Sequence, residues 1–121
     1  MDYITAKQFL INKINNCYKI NVDKKYHWIY FVYSNKITRQ KKLCRITNSE
    51  FIYEEDNDEI VLFKINLDKE YFVISYKIFD EIIKNYGLSY LQLKTIMNDV
   101  CLEMPELKKY SKNIFVDRYE R

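Results

Sequence analysis

Side chains that could carry out chemistry are few in this chain of 121 residues. His27 is the single histidine, and histidine is the usual group that exchanges protons near neutral pH. Asp23–Lys25 and Glu106–Lys108 have the acid-x-lysine spacing that a metal-dependent nuclease can use, but neither has a partner acid on a neighbouring predicted strand. A single glycine excludes the glycine-rich loops that bind nucleotides. We therefore predict that the protein is not an enzyme and uses no cofactor.

The three cysteines, Cys17, Cys44 and Cys101, are widely spaced. A zinc site usually has ligands in close pairs such as Cys-x-x-Cys, and even a site made of all three thiols with His27 would lack such a pair. Cys17 and Cys101 fall on apolar faces of predicted helices, where a free thiol packs as a small apolar group. Free buried thiols are typical of a reducing compartment. We predict no metal site and a cytoplasmic location.

Two segments of opposite charge follow each other in the middle of the chain. Residues 36–45 hold five basic side chains, and residues 54–59 hold five acidic ones. If the chain turns tightly at Asp56 and Asn57, acidic side chains face each other across a hairpin, which is destabilising. Solvent, the basic segment, a cation or a positively charged partner would offset this repulsion. We predict a partner-binding site made of the following residues: Tyr53, Glu54, Glu55, Asp56, Asp58 and Glu59.

A second candidate site lies in residues 79–98, which resemble a helix-turn-helix motif. Gly87 permits a tight turn, and Ser89 caps the helix that would enter the DNA groove. Ile83 departs from the motif, because a small residue usually stands there and lets the two helices approach. The alternative function is therefore a DNA-binding regulator. In that case, the residues expected to face DNA are Tyr90, Gln92, Lys94, Thr95 and Asn98.

The strand predicted from Tyr26 to Ser34 is rich in aromatic side chains and precedes the basic segment. Such rings can stack single-stranded bases. The strand lacks the glycines of the common sheet-based RNA-binding signature, and Tyr30 alternates with Phe31 and Tyr33, which places it on the opposite face. We therefore interpret these rings as core packing.

Helical periodicity predicts three helices. The first begins at Thr5, in a capping box with the residue three positions later, and runs to about Tyr18. The second covers residues 78–86 and ends at a glycine, which can adopt the left-handed conformation. The third covers residues 89–104, begins with another capping box and stops before a proline.

Between Tyr26 and Tyr76 the pattern favours strands. The links are too short for parallel crossovers, so we expect an antiparallel meander of four to five strands, and residues 114–116 could add a short one. The N-terminal helix and the two C-terminal helices should pack on one face, which gives an α+β fold. One face of the strand at residues 59–67 is expected to carry Val61, Phe63, Ile65 and Leu67.

The composition fits one globular unit. The chain is 48% hydrophobic with a net charge of +3, so we predict a single domain over residues 1–121. No apolar run reaches the roughly 20 residues of a membrane helix, and we expect no membrane partner. Its 12 tyrosines are good interface anchors. Together with the missing catalytic chemistry, these features favour a non-catalytic module that binds another protein, such as an inhibitor or immunity protein that blocks a toxin or an enzyme.

Overall fold

A computed structural model describes residues 3–23, 25, 27–34, 40–44, 49–53 and 59–118. The described elements follow in this order: α1 (Tyr3–Asn15), β1 (Tyr18–Asp23), β2 (Trp28–Ser34), β3 (Gln40–Cys44), β4 (Ser49–Tyr53), β5 (Glu59–Asn66), β6 (Tyr71–Ile74), α2 (Tyr76–Tyr86), α3 (Tyr90–Glu103), a 3₁₀ helix (Pro105–Tyr110) and β7 (Ile114–Val116). The predicted α+β class is confirmed, and so is the short strand at residues 114–116. Among the described helices, none has the length and apolar character needed to cross a membrane.

Five strands form the main sheet in the order β1-β2-β5-β6-β7, and β3 pairs with β4 in a separate two-stranded sheet. Neighbours in the main sheet are antiparallel except β6 and β7, which run parallel. The prediction of a purely antiparallel meander is therefore wrong. α2, α3 and the 3₁₀ helix lie between β6 and β7 in the chain, and this long connection allows β7 to return in the same direction as β6.

Three phenylalanines occupy the centre of the core: Phe31 in β2, Phe63 in β5 and Phe72 in β6. Each is at most 1% exposed, and their ring centroids lie 5.6 to 6.3 Å apart. We call these three side chains the core rings. All three α-helices bury side chains in the same cluster, and α3 contributes Leu93, Ile96, Met97, Val100 and Cys101.

The alternation of side chains along β5 is interrupted by a β-bulge. The register with β2 shifts after Phe31, so that Leu62 is an extra residue between two paired ones. Leu62 and Phe63 are both buried as a result, whereas Val61 is 37% exposed. The predicted common face of Val61 and Phe63 is therefore wrong, and Leu67 is also largely outside the core because β5 ends one residue earlier.

The junction between α2 and α3 follows the sequence prediction closely. Gly87 has φ 64° and ψ 26°, in the left-handed region, and its N–H donates to the Ile83 carbonyl at 3.2 Å. Ser89 is the N-cap of α3. Its hydroxyl accepts from the Gln92 N–H at 3.2 Å, while the Gln92 side-chain oxygen accepts from the Ser89 N–H at 2.8 Å. The predicted capping box is confirmed.

The N-terminal helix is displaced from its predicted position. α1 begins at Tyr3, so Thr5 lies inside the first turn instead of capping the helix. The helix ends at Asn15, and the chain enters β1 at Tyr18, within the range that was expected to be helical. Tyr18 pairs with Val32 of β2, and both are buried, so sheet pairing and burial outweigh the local helical pattern.

Candidate functional site

The acidic segment predicted to bind a partner lies mostly outside the described residues. Glu54, Glu55, Asp56 and Asp58 belong to residues 54–58, which the structure does not describe. Tyr53 is the last residue of β4, and Glu59 is the first residue of β5. The acidic partner site therefore stays a prediction.

The residues predicted to face DNA all lie on α3. Gln92 takes part in the capping box, and the Thr95 hydroxyl donates to the Leu91 carbonyl at 3.0 Å. The helix carries one lysine against two carboxylates, which gives it little attraction for phosphates. Tyr90 and Lys94 contact the end of the main sheet, as described below. The DNA-binding function stays a prediction.

The face of the main sheet opposite the core carries a row of aromatic rings. Trp28 of β2 lies with its ring centroid 5.6 Å from that of Tyr71 in β6, and the two ring planes make an angle of 80°. Tyr71 lies 5.2 Å from Phe115 of β7, at an angle of 78°. Each ring therefore meets the next edge to face, the arrangement that ring quadrupoles favour. Phe115 is 48% exposed, so this row is open to solvent.

Three cations and a fourth ring extend this row. The Lys64 Nζ lies 5.0 Å from the Trp28 ring centroid. The Lys94 Nζ reaches from α3 to within 5.8 Å of the Phe115 centroid and 5.6 Å of the Tyr90 centroid, and the Arg118 guanidinium carbon lies 4.4 Å from Tyr90. These are cation–π distances. We call the whole row the aromatic face: Lys64, Trp28, Tyr71, Phe115, Lys94, Tyr90 and Arg118.

Strand register explains how distant residues meet in this row. Trp28 and Tyr71 both pair with Asn66, which lies between them in β5. Asn66 is buried, and its side-chain oxygen accepts from the Lys69 N–H at 2.8 Å. The Asn66 side chain is short and is hydrogen-bonded to the Lys69 N–H. The rings of Trp28 and Tyr71 therefore meet across β5. Phe115 is added by its pairing with Val73 in the parallel β6–β7 ladder.

α3 completes the aromatic face from beside β7. Its first residue, Tyr90, meets Arg118 beyond the end of β7, and Lys94 one turn later meets Phe115 within β7. The N-terminal cap at Ser89 and the left-handed Gly87 fix where this helix begins. The same helix therefore supplies core side chains and two members of the aromatic face.

An open pocket of about 670 Å³ lies in the aromatic face, walled by its rings and by Val73, Val116 and Asp117. This volume is in the range of small-ligand pockets and of recesses that accept a partner side chain. A neighbouring groove of about 430 Å³ runs between α3 and residues 111–114. Lys94 and Asn98 line this groove, and the Asn98 side-chain oxygen is buried without a hydrogen-bond partner. Lys94 lines this groove and also belongs to the aromatic face, so the groove adjoins the aromatic face.

Groups that could bind a metal or react as nucleophiles are not assembled in the described part of the chain. No three His, Cys, Asp or Glu side chains converge there. Cys101 is a free thiol at 0% exposure, and burial raises its pKa to about 12. Cys17 is half-buried, and its thiol donates to the Lys13 carbonyl at 3.1 Å. His27 contacts the Asp68 carboxylate at 2.6 Å on the surface, where its ring is about half exposed.

Sequence patterns single out only Tyr90 and Lys94 of the aromatic face, and they do so for a different function. The available signal is alternation, because Phe115 stands between the buried Ile114 and Val116, and Trp28 stands next to the partly buried Ile29. That signal cannot say which strands become neighbours. The chemistry of this face must be argued from its own residues: comparisons with protein-family models, with curated proteins and with solved structures gave no match to this chain.

Proposed function

We propose that this chain is a non-catalytic binding module that recognises another protein through the aromatic face. One observation carries the proposal: a continuous row of four rings and three cations on an open surface. Tryptophan, tyrosine and arginine are the residue types that most often dominate the energy of protein–protein interfaces. The rings offer large apolar areas with few rotatable bonds, and the cation heads select the charge of the partner.

The proposed role is that of an inhibitor or immunity-type protein. A module that binds tightly without chemistry acts by covering a functional surface of its partner, for example on a toxin or an enzyme. The pocket supports this role because it can receive a side chain that projects from the partner, and such buried anchors are typical of tight interfaces.

The proposal is tested by comparing what wild-type protein and variants of the aromatic face retain from a lysate of the native cells. Trp28→Ala, Tyr90→Ala and Arg118→Glu each remove one part of the face. We expect these variants to lose the proteins that the wild type retains. Ile83→Ala and Lys84→Glu are matched controls on the exposed side of α2 and should retain them.

Binding of the purified partner then gives the decisive number. We expect Trp28→Ala to raise the dissociation constant at least about tenfold, as for a residue at the centre of an interface. Equal affinity for wild type and all three variants would remove the aromatic face from the function. In that event, charge reversal at Glu54, Glu55 and Asp58 tests the acidic segment instead.

A further inference from the structure

The three cations of the aromatic face contact rings and form no ion pair among the described residues. Lys7, Lys19 and Lys84 form ion pairs with glutamate or aspartate side chains of neighbouring elements or turns. Lys64, Lys94 and Arg118 lie over aromatic rings, which are neutral. Lys13, Lys19 and Lys109 also lie over rings, but Lys13 and Lys19 have glutamate partners in addition. A cation–π contact at an exposed site is weaker than a charge-assisted hydrogen bond to a carboxylate. Each of these cations therefore gains when a carboxylate arrives.

The order of groups along the aromatic face is cation, rings, cation. Lys64 stands at the Trp28 end, and Lys94 and Arg118 stand around Tyr90 at the other end. The pocket lies between these ends, and its wall contains four rings, two valines and one carboxylate, Asp117. A complementary ligand has an apolar centre that fills the pocket and negative groups on both sides of it.

Two observations favour a protein segment over a single strand of nucleic acid. Neighbouring rings of the sheet stand at 80° and 78° to each other, so successive bases cannot stack in parallel on adjacent rings. In addition, Lys64 and Arg118 already lie over the rings of Trp28 and Tyr90. These cations cover the ring faces on which a base would have to stack.

We infer that the aromatic face binds an acidic peptide segment of the partner in which one bulky apolar side chain is flanked on both sides by carboxylates. The inference rests on the proposed function, and it adds the chemistry of the segment that the face recognises. The apolar side chain enters the pocket beside Tyr71 and Phe115. The carboxylates pair with Lys64 at one end and with Arg118 at the other.

The chain carries its own reporter for this binding, because Trp28 is its only tryptophan and lies in the aromatic face. We would titrate the full chain with a capped peptide of sequence Glu-Asp-Phe-Asp-Glu and follow tryptophan fluorescence. Three matched probes are the neutral peptide Gln-Asn-Phe-Asn-Gln, the peptide Glu-Asp-Ala-Asp-Glu and a ten-residue oligothymidylate. We expect saturable binding of the first peptide, and at least about tenfold weaker binding of the other two peptides.

Variants then connect the binding to the cations. Lys64→Gln and Arg118→Gln should each weaken binding of the acidic peptide about fivefold or more and reduce its dependence on salt. Lys84→Gln is the matched control, because Lys84 is exposed on α2 and pairs with Asp80 within the same helix. It should bind the peptide as the wild type does.

Each other outcome overturns a defined part of the inference. Equal affinity for the acidic and neutral peptides would remove the requirement for carboxylates. Tighter binding of the oligothymidylate would assign the face to nucleic acid. Self-association of the chain that Arg118→Glu abolishes would assign the face to a second copy. If no probe binds but Trp28→Ala still weakens binding of the purified partner, the inferred acidic peptide of the partner is wrong and the proposed function stands.

Discussion

The main sheet carries aromatic rings on both faces, and the core rings differ from those of the aromatic face in what covers them. The core rings are at most 1% exposed and lie 5.6 to 6.3 Å apart. In the aromatic face, the centroids of neighbouring sheet rings lie 5.2 and 5.6 Å apart, which is as close as in the core or closer. Phe115 is nevertheless 48% exposed. Ring-to-ring packing is therefore similar on both faces. Helices cover one set, whereas lysine and arginine side chains cover part of the other.

The difference arises within single strands. In β2, Phe31 lies in the core, while Trp28 and Tyr30 alternate to the opposite face and are only partly buried. A strand rich in aromatic residues thus contributes to the core with one face and to the proposed binding surface with the other. Substitutions on the two faces should separate these two roles.

The largest expected effect comes from comparing Phe63→Ala with Phe115→Ala. Removing the Phe63 ring leaves a cavity in a fully buried site, and we expect a loss of about 3–5 kcal/mol in the free energy of unfolding. Phe115→Ala should cost about 1 kcal/mol or less, because its ring is half exposed. Urea unfolding followed by circular dichroism measures both. Equal losses would mean that the two faces are not distinct.

A smaller effect is expected at Gly87, which positions the one helix that belongs to both faces. An alanine at φ 64° is strained by about 1–2 kcal/mol, although a Cβ there would meet nothing within 4 Å. Gly87→Asn is the control and should cost less, because asparagine tolerates the left-handed region. Thermal unfolding of both variants checks this order. A similar loss in both would place the cause in contacts instead of backbone strain.

Ser89→Ala tests the start of the same helix. The variant loses the hydroxyl that accepts from the Gln92 N–H, and we expect a loss of about 1 kcal/mol in the free energy of unfolding. Ser89→Asp keeps an acceptor at this position and should stay close to the wild type. Because α3 carries Tyr90 and Lys94, fraying of its first turn should also weaken acidic-peptide binding. Unchanged stability in Ser89→Ala would show that the cap is not needed.

The smallest effect concerns the thiol of Cys101 in the core. Its pKa is raised to about 12 by burial, whereas the unfolded thiol titrates near 9.0. The neutral thiol therefore adds stability that is fully present below pH 9 and is lost as the pH rises toward 12. At pH 9.5 the expected loss is about 1 kcal/mol or less.

Alkaline urea unfolding of Cys101→Ala checks this linkage. The variant should lack this part of the decline in stability between pH 8 and 9.5. Val100→Ala removes a buried neighbour without a titrating group and should decline as the wild type does. An identical decline in Cys101→Ala would mean that the thiol is not shielded from water.

Local features could be predicted from the sequence, whereas features that need several segments could not. The end of α2 follows from Gly87 and the start of α3 follows from Ser89, because each cap depends only on residues close to it in the chain. The bulge at Leu62 depends on how β5 meets β2, and the parallel β7 depends on where two helices return the chain. The aromatic face is of this second kind, because its rings come from three strands and a helix. The predicted acidic segment remains untested.

The spread of the aromatic face along the chain also determines when the face comes into existence during synthesis. Trp28 precedes Phe115 by about 90 residues, which a ribosome needs roughly 5–18 s to add at about 5–20 residues per second. The nascent chain gains β5, β6, α2 and α3 during that interval but lacks β7 and Arg118 until its end. Only a chain translated through residue 118 and folded can present both ends of the row. The proposed binding surface is therefore complete only after β7 has joined the sheet.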